Sequence, residues 1–206
     1  MYGFEVINNL GETVISSETP VYHFFNEFTV SPFESGSNIF AVPRDSPRDL
    51  HFYRFPVNAE VGYITMASAT GIEGTDSIYS NLSQLTVRVY RPISEYVSPS
   101  PDGYGLEVYN SSGDVTFTSK IELLACDIGV VDAFGNRTEI GNSEWISPAI
   151  PVLYEVEDQN VYFNYANVLQ RTSLTKVRQK AVFLRSSPFA STTVFTSPWD
   201  MGALWF

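Results

Sequence analysis

With 206 residues, 44% of them hydrophobic, 15% aromatic and 17% charged, the chain is long and apolar enough to bury a core and is not intrinsically disordered. Its 12 Lys and Arg stand against 23 Asp and Glu, a formal charge of −11 that repels a polyphosphate and argues against a nucleic-acid partner. The single cysteine, Cys126, cannot close an internal disulfide, and no set of Cys and His has zinc spacing, so folding must rest on packing.

The opening MYGFEVINNL has neither the basic nor the apolar segment of a signal peptide. No run approaches the roughly 18 apolar residues that span a bilayer, so the expectation is a soluble chain without a cleaved leader.

Residues 2–18 align without a gap on residues 104–120, at an offset of 102, with seven of seventeen positions identical. The copies open on Tyr2-Gly3 and Tyr104-Gly105. In each, apolar residues (Phe4 and Val6; Leu106 and Val108) alternate with Glu5 or Glu107, an Asn-x-x-Gly follows, and β-branched residues resume. That pattern predicts strand, tight turn, strand. Gly11 and Gly113 suit a turn position with positive φ, and Asn8 and Asn110 can bond their own backbone.

Further strands are expected in 51–57, 62–67, 84–91, 122–131, 151–156, 161–165 and 180–185, which are β-rich runs separated by Gly, Pro, Asn, Asp and Ser. Pro99 and Pro101 block helix and central strand just before the second copy, which reads as a linker or crossover. Residues 164–180 offer the one candidate helix, but Thr172, Ser173 and Thr175 weaken it and the apolar positions keep no single face, so a strand with a polar approach is predicted. The fold expected is all-β, antiparallel and β-sandwich-like, with two related halves: a module over 1–98, a linker or crossover over 99–103 and a module over 104–206. A single sandwich with the repeats related by pseudo-symmetry is equally compatible.

Little in the chain points to catalysis. Only His23 and His51 could serve a nucleophilic serine, both lie among aromatics as packed histidines do, and no Gly-x-Ser-x-Gly elbow occurs. There is no P-loop and no dinucleotide fingerprint, so no cofactor is expected. Glu155, Glu157 and Asp158 form the densest acidic cluster and read as a solvated strand end rather than a glycosidase pair. Neither they nor Asp127 and Asp132 form a calcium loop, and no metal is expected. Sequons at Asn81, Asn110 and Asn136 read as chance.

Two features suggest contacts with other molecules. Arg171, Lys176, Arg178, Lys180 and Arg185 place five of the 12 positive charges within 15 residues, either a solvated strand face or a docking strip for an acidic neighbour or another copy. Aromatics are abundant, with Trp199, Trp205 and Phe206 near the end, where the uncharged Gly-Ala-Leu-Trp-Phe of 202–206 is expected to tuck into the chain's own core or into a neighbour. A receptor- or glycan-binding module is the alternative, with Tyr53, Tyr63, Tyr79 or Trp145 stacking on sugar rings.

The two copies of Tyr-Gly-Phe/Leu-Glu-Val-x-Asn-x-x-Gly, the second continuing into Phe117-Thr118-Ser119, resemble a motif of small tailed-bacteriophage virion proteins. The resemblance covers about 17 residues in each half and carries no catalytic residue. It implies a non-enzymatic virion component at the tail tip, baseplate or fibre, present in symmetric copies and assembled in the host cytoplasm. Its partners would be other tail or virion proteins and further copies of itself, with a host surface glycan under the alternative reading.

Overall fold

A computed structural model describes residues 5–7, 13–16, 21–64, 74–95, 105–131, 137–148, 152–158, 161–187 and 201–206. Tyr2, Gly3, Asn8, Gly11, Tyr104, Trp199 and the linker at 99–103 lie outside them.

The described residues form seventeen strands and one 3-10 turn, Ile93–Glu95. The strands are β1 Glu5–Ile7, β2 Thr13–Ser16, β3 Tyr22–Val30, β4 Ile39–Pro43, β5 Leu50–Arg54, β6 Glu60–Tyr63, β7 Thr75–Ser80, β8 Leu85–Pro92 and β9 Glu107–Tyr109. After them come β10 Val115–Thr118, β11 Asp127–Val131, β12 Thr138–Glu139, β13 Trp145–Pro148, β14 Val152–Asp158, β15 Val161–Arg171, β16 Lys176–Ser187 and β17 Met201–Trp205. The fold is all-β and antiparallel, as expected. No helix among the described residues is long and apolar enough to cross a membrane.

Two small sheets are the hairpins β1-β2 and β9-β10. A six-stranded sheet has the order β11-β17-β13-β5-β8-β3, and a second sheet has the order β12-β16-β15-β6-β7-β4 with β14 on β15. Strands from before and after residues 99–103 therefore share both large sheets. This differs from a division into modules 1–98 and 104–206: the compact units are discontinuous, one holding Met1–Asn26, Ser46–His51 and Arg88–Ala125, the other Glu27–Asp45, Phe52–Val87 and Cys126–Phe206. The cause is pairing between distant strands, such as Leu169 of β15 opposite Val61 of β6.

In the second unit, side chains of the two large sheets meet in a sandwich-like arrangement. The Tyr53 and Tyr63 hydroxyls lie 3.3 Å apart, and Gln179 Nε2 donates to the Val131 carbonyl at 2.5 Å. Phe40 and Val42 of β4 alternate with less buried neighbours, the signature of a strand with one face in the core. Phe52 and Tyr53 on β5, and all four residues of β13, are buried in succession because both faces of those strands are covered. Residues 164–180 hold a strand end, a turn and a second strand start: Thr172 and Ser173 donate to the Lys176 carbonyl within the turn that joins β15 to β16, Thr172 N at 2.9 Å and its hydroxyl at 3.3 Å. The polar residues that weaken a helix here are thus the turn itself.

Gly62 marks a close approach in this sheet. A Cβ placed there would stand 2.8 Å from Val168 Cγ1 and 3.0 Å from Val168 Cα, so β6 and β15 can approach only with hydrogen at that position.

The first unit buries polar groups as well as Val89, Tyr90 and Ile93. Arg91 grips Asp49 through two bonds of 2.8 Å and covers the Phe25 ring at 3.6 Å. His23, 6% exposed, lies on β3 where Phe24 N and Leu124 N bond across to Glu122 O and Tyr22 O. Its Nδ1 sits 2.9 Å from the Phe24 carbonyl, to which a protonated Nδ1 donates.

Two predictions follow from this packing. Gly62→Ala should destabilise the protein by about 1–3 kcal/mol through the overpacked contact with Val168, read as a lower urea midpoint at unchanged slope; an unchanged midpoint refutes the close approach. Burial holds the His23 pKa below 6.5, with the Arg91 charge adding to that effect and the Phe24 carbonyl, Asp49 and Glu95 opposing it. The unfolded chain therefore takes up a proton near 6.5 that the folded chain resists, so this contribution to stability is intact above that pH and is lost as pH falls below it, down to the folded pKa. Thermal midpoints measured from about pH 7.5 to pH 5 should fall, and should fall less steeply in His23→Asn; parallel curves would exclude His23 as the cause.

Candidate functional site

The repeated hairpin is the one sequence motif that recurs, and its second copy is described in detail. Strand β9 begins 102 residues after β1 and β10 begins 102 after β2, with the same lengths. The registers also coincide: Glu5 opposes Ser16, Val6 opposes Ile15 and Ile7 opposes Thr13, while Glu107 opposes Thr118, Val108 opposes Phe117 and Tyr109 opposes Val115. Both ladders carry an irregularity at the same place.

Most of the identities between copies have a mechanical role in this hairpin. Asn110 Oδ1 accepts from Ser112 N and Asp114 N, both at 2.9 Å, and its Nδ2 donates to Asp114 Oδ2 at 3.0 Å. Gly113 takes φ +88°, which a side chain would strain, and its N–H returns to Asn110 O at 3.1 Å. Ser119 Oγ accepts from Leu106 N at 2.8 Å. A Cβ on Gly105 would meet Lys120 Cγ at 2.8 Å. Glu107 pairs with Lys120 at 3.2 Å and accepts from the Tyr109 hydroxyl, a bond that raises the phenol pKa. In the first copy Glu18 stands in the place of Lys120, so the pair equivalent to Glu107 and Lys120, Glu5 and Glu18, carries like charges. Leu106 and Tyr109 are 56% and 51% exposed on this frame.

The basic strip is largely engaged within the chain. Lys176, Arg178 and Lys180 share one face of β16 by alternation. Lys176 pairs with Glu139 at 2.9 Å, Arg178 Nε donates to Gln170 Oε1 at 2.9 Å, and Lys180 reaches Glu60 at 2.5 Å. Gln170 Nε2 also donates to Glu60 at 2.9 Å, so this buried carboxylate is held by two strands. Arg171 is 4% exposed and donates to the carbonyls of Phe55, Ser173 and Leu174. Arg185 is placed only as a position in β16, and Trp205 only as a position in β17.

The end segment tucks into its own core. Strand β17 lies between β11 and β13. Phe206 exchanges two backbone bonds with Trp145, and its ring stacks on Trp145 at 6.3 Å and meets Phe52 edge-on at 4.9 Å. The proposed sugar platform is corrected for two residues: Tyr53 is fully buried and Trp145 is 8% exposed, so neither ring presents a face to solvent. The Asn81 amide accepts from Glu60 N at 2.8 Å and donates to Asn58 O at 2.9 Å, which ties that sequon into the fold.

Sequence reasoning missed a pocket of about 430 Å³ in the second unit, beside Arg54, Phe55 and Arg171. Its residues come from three separate stretches, 54–57, 142–144 and 171–174, and of them Arg171 alone stands out in the sequence, as part of the basic strip. No family model matches the chain, and no curated protein or solved structure is significantly similar to it.

Asn110→Ala leaves two turn N–H groups without their acceptor, and Gly113→Ala strains the backbone, each at about 1–2 kcal/mol. Both should abolish hydrogen-exchange protection in β9 and β10 while Lys180 and Glu60 keep their ion pair and the sandwich its protection. Retained protection in the hairpin would refute this account.

Proposed function

We propose that the chain is a non-enzymatic structural component of a tailed-phage virion, at the tail tip, baseplate or fibre. It works through protein–protein contacts with other tail proteins and with further copies of itself, in the virion after assembly in the host cytoplasm. One observation carries the reading: a hairpin recurs at a fixed offset with the same strand bounds, register and irregularity. The recurring residues shape backbone rather than chemistry, which suits a module kept for its surface. Leu106 and Tyr109 supply exposed apolar anchors on that module, the residue types that interfaces favour. The glycan alternative loses Tyr53 and Trp145 as stacking rings.

Light scattering on the isolated chain, alone and mixed with candidate tail proteins, tests this. Defined oligomers or co-assembly are expected, weakened at least about tenfold by Leu106→Glu, while the thermal midpoint of the free chain is unchanged. A monomer at every concentration that instead binds host polysaccharide overturns the proposal.

A further inference from the structure

Among the described residues several cations meet carboxylates, while the buried Arg171 meets none. Arg44 bonds Asp76 at 2.8 and 3.1 Å, Arg91 forks onto Asp49 and Lys180 reaches Glu60. Arg171 is more buried than either arginine and rests on carbonyl oxygens alone, with Phe55 O at 2.6 Å and Ser173 O at 3.1 Å. Three bonds occupy three of the five guanidinium N–H groups, leaving two. A buried guanidinium is ordinarily matched by negative charge, because carbonyl dipoles replace only part of its lost hydration. Burial accordingly draws its pKa down, with Glu144 acting against that at longer range.

Arg171 lines the pocket of about 430 Å³, a volume in the range of small-ligand sites. Arg54 lines it too, exposed at the end of β5. Val57 and Leu174, 39% and 67% exposed, form apolar walls, and Glu144 stands among the lining residues. Two arginines against one glutamate make the lining net positive in a chain of formal charge −11.

We propose that this pocket binds a carboxylate borne on an apolar residue, as in an N-acylated apolar amino acid or the carboxyl end of a peptide. Arg54 and the remaining Arg171 N–H groups receive the carboxylate, the planar fork matching its two oxygens. Val57 and Leu174 cover the apolar side chain. Glu144 disfavours a second negative charge and accepts the amide N–H next to the carboxylate. The free small molecule and the peptide end present the same chemistry, and the test separates them.

The probe is N-acetyl-leucine, titrated into the whole chain and followed by amide chemical shifts and calorimetry, against N-acetyl-leucinamide and an acetylated hexapeptide ending in leucine. N-acetyl-leucine should perturb amides in 54–57, 142–144 and 172–174 with half-saturation at about millimolar, and the leucinamide should bind at least about tenfold more weakly. Arg54→Gln, on an exposed side chain, should weaken binding about tenfold at unchanged thermal midpoint. A peptide that binds more tightly than N-acetyl-leucine identifies a chain end as the source; equal affinities identify the small carboxylate. Equal binding of acid and amide, an unaltered affinity in Arg54→Gln, or no shifts at about 50 mM ligand overturns the proposal.

Discussion

The wedge of Phe206 between Trp145 and Phe52 holds β17 in place, and much of the second unit depends on it. Strand β17 pairs on one side with all of β11 and on the other with β13. Without it β13 becomes an edge, and β11, already the last strand of the sheet, loses the ladder that holds it there. Nothing covalent substitutes for this closure, because Cys126 has no partner thiol in the sequence. The pairing is also distant: β13 meets β5 through Ile146 opposite Tyr53. Such contacts form only after long loops have closed, so the topology predicts slow folding for its size.

Distance in sequence also separates what was legible from what was not. The β9-β10 hairpin could be read because its determinants, Asn110 and Gly113, act on residues within a few positions. Strand β8 could be read from its alternation at Leu85, Val87 and Val89. Strand β13, Trp-Ile-Ser-Pro, escaped because burial on both faces erases alternation and four residues carry too little signal. The basic strip was visible as composition, but its partners Glu60 and Glu139 lie on other strands and nothing local announces them. The pocket was invisible for the same reason, since Arg171 and Phe55 meet across 116 residues.

The distribution of charge follows from that internal pairing. A chain with nearly twice as many acids as bases engages several of its cations as internal ties: Lys180 on Glu60, Lys176 on Glu139, Arg44 on Asp76. The surplus that remains for the surface is negative, which disfavours polyphosphates and leaves a buried cation such as Arg171 as an unusual positive point.

The hairpins are held by a different economy of forces. An isolated two-stranded ribbon is marginal in water, and β9-β10 is stiffened by side-chain bonds from Asn110, Ser119 and Glu107 rather than by a sheet. Those residues recur in the first copy as Asn8, Ser17 and Glu5, whereas the apolar positions Leu106 and Tyr109 are Phe4 and Ile7 there. The register and the Asn and Ser positions are thus shared, while the tie at Glu107 is not, because its partners Lys120 and Tyr109 are Glu18 and Ile7 in the first copy.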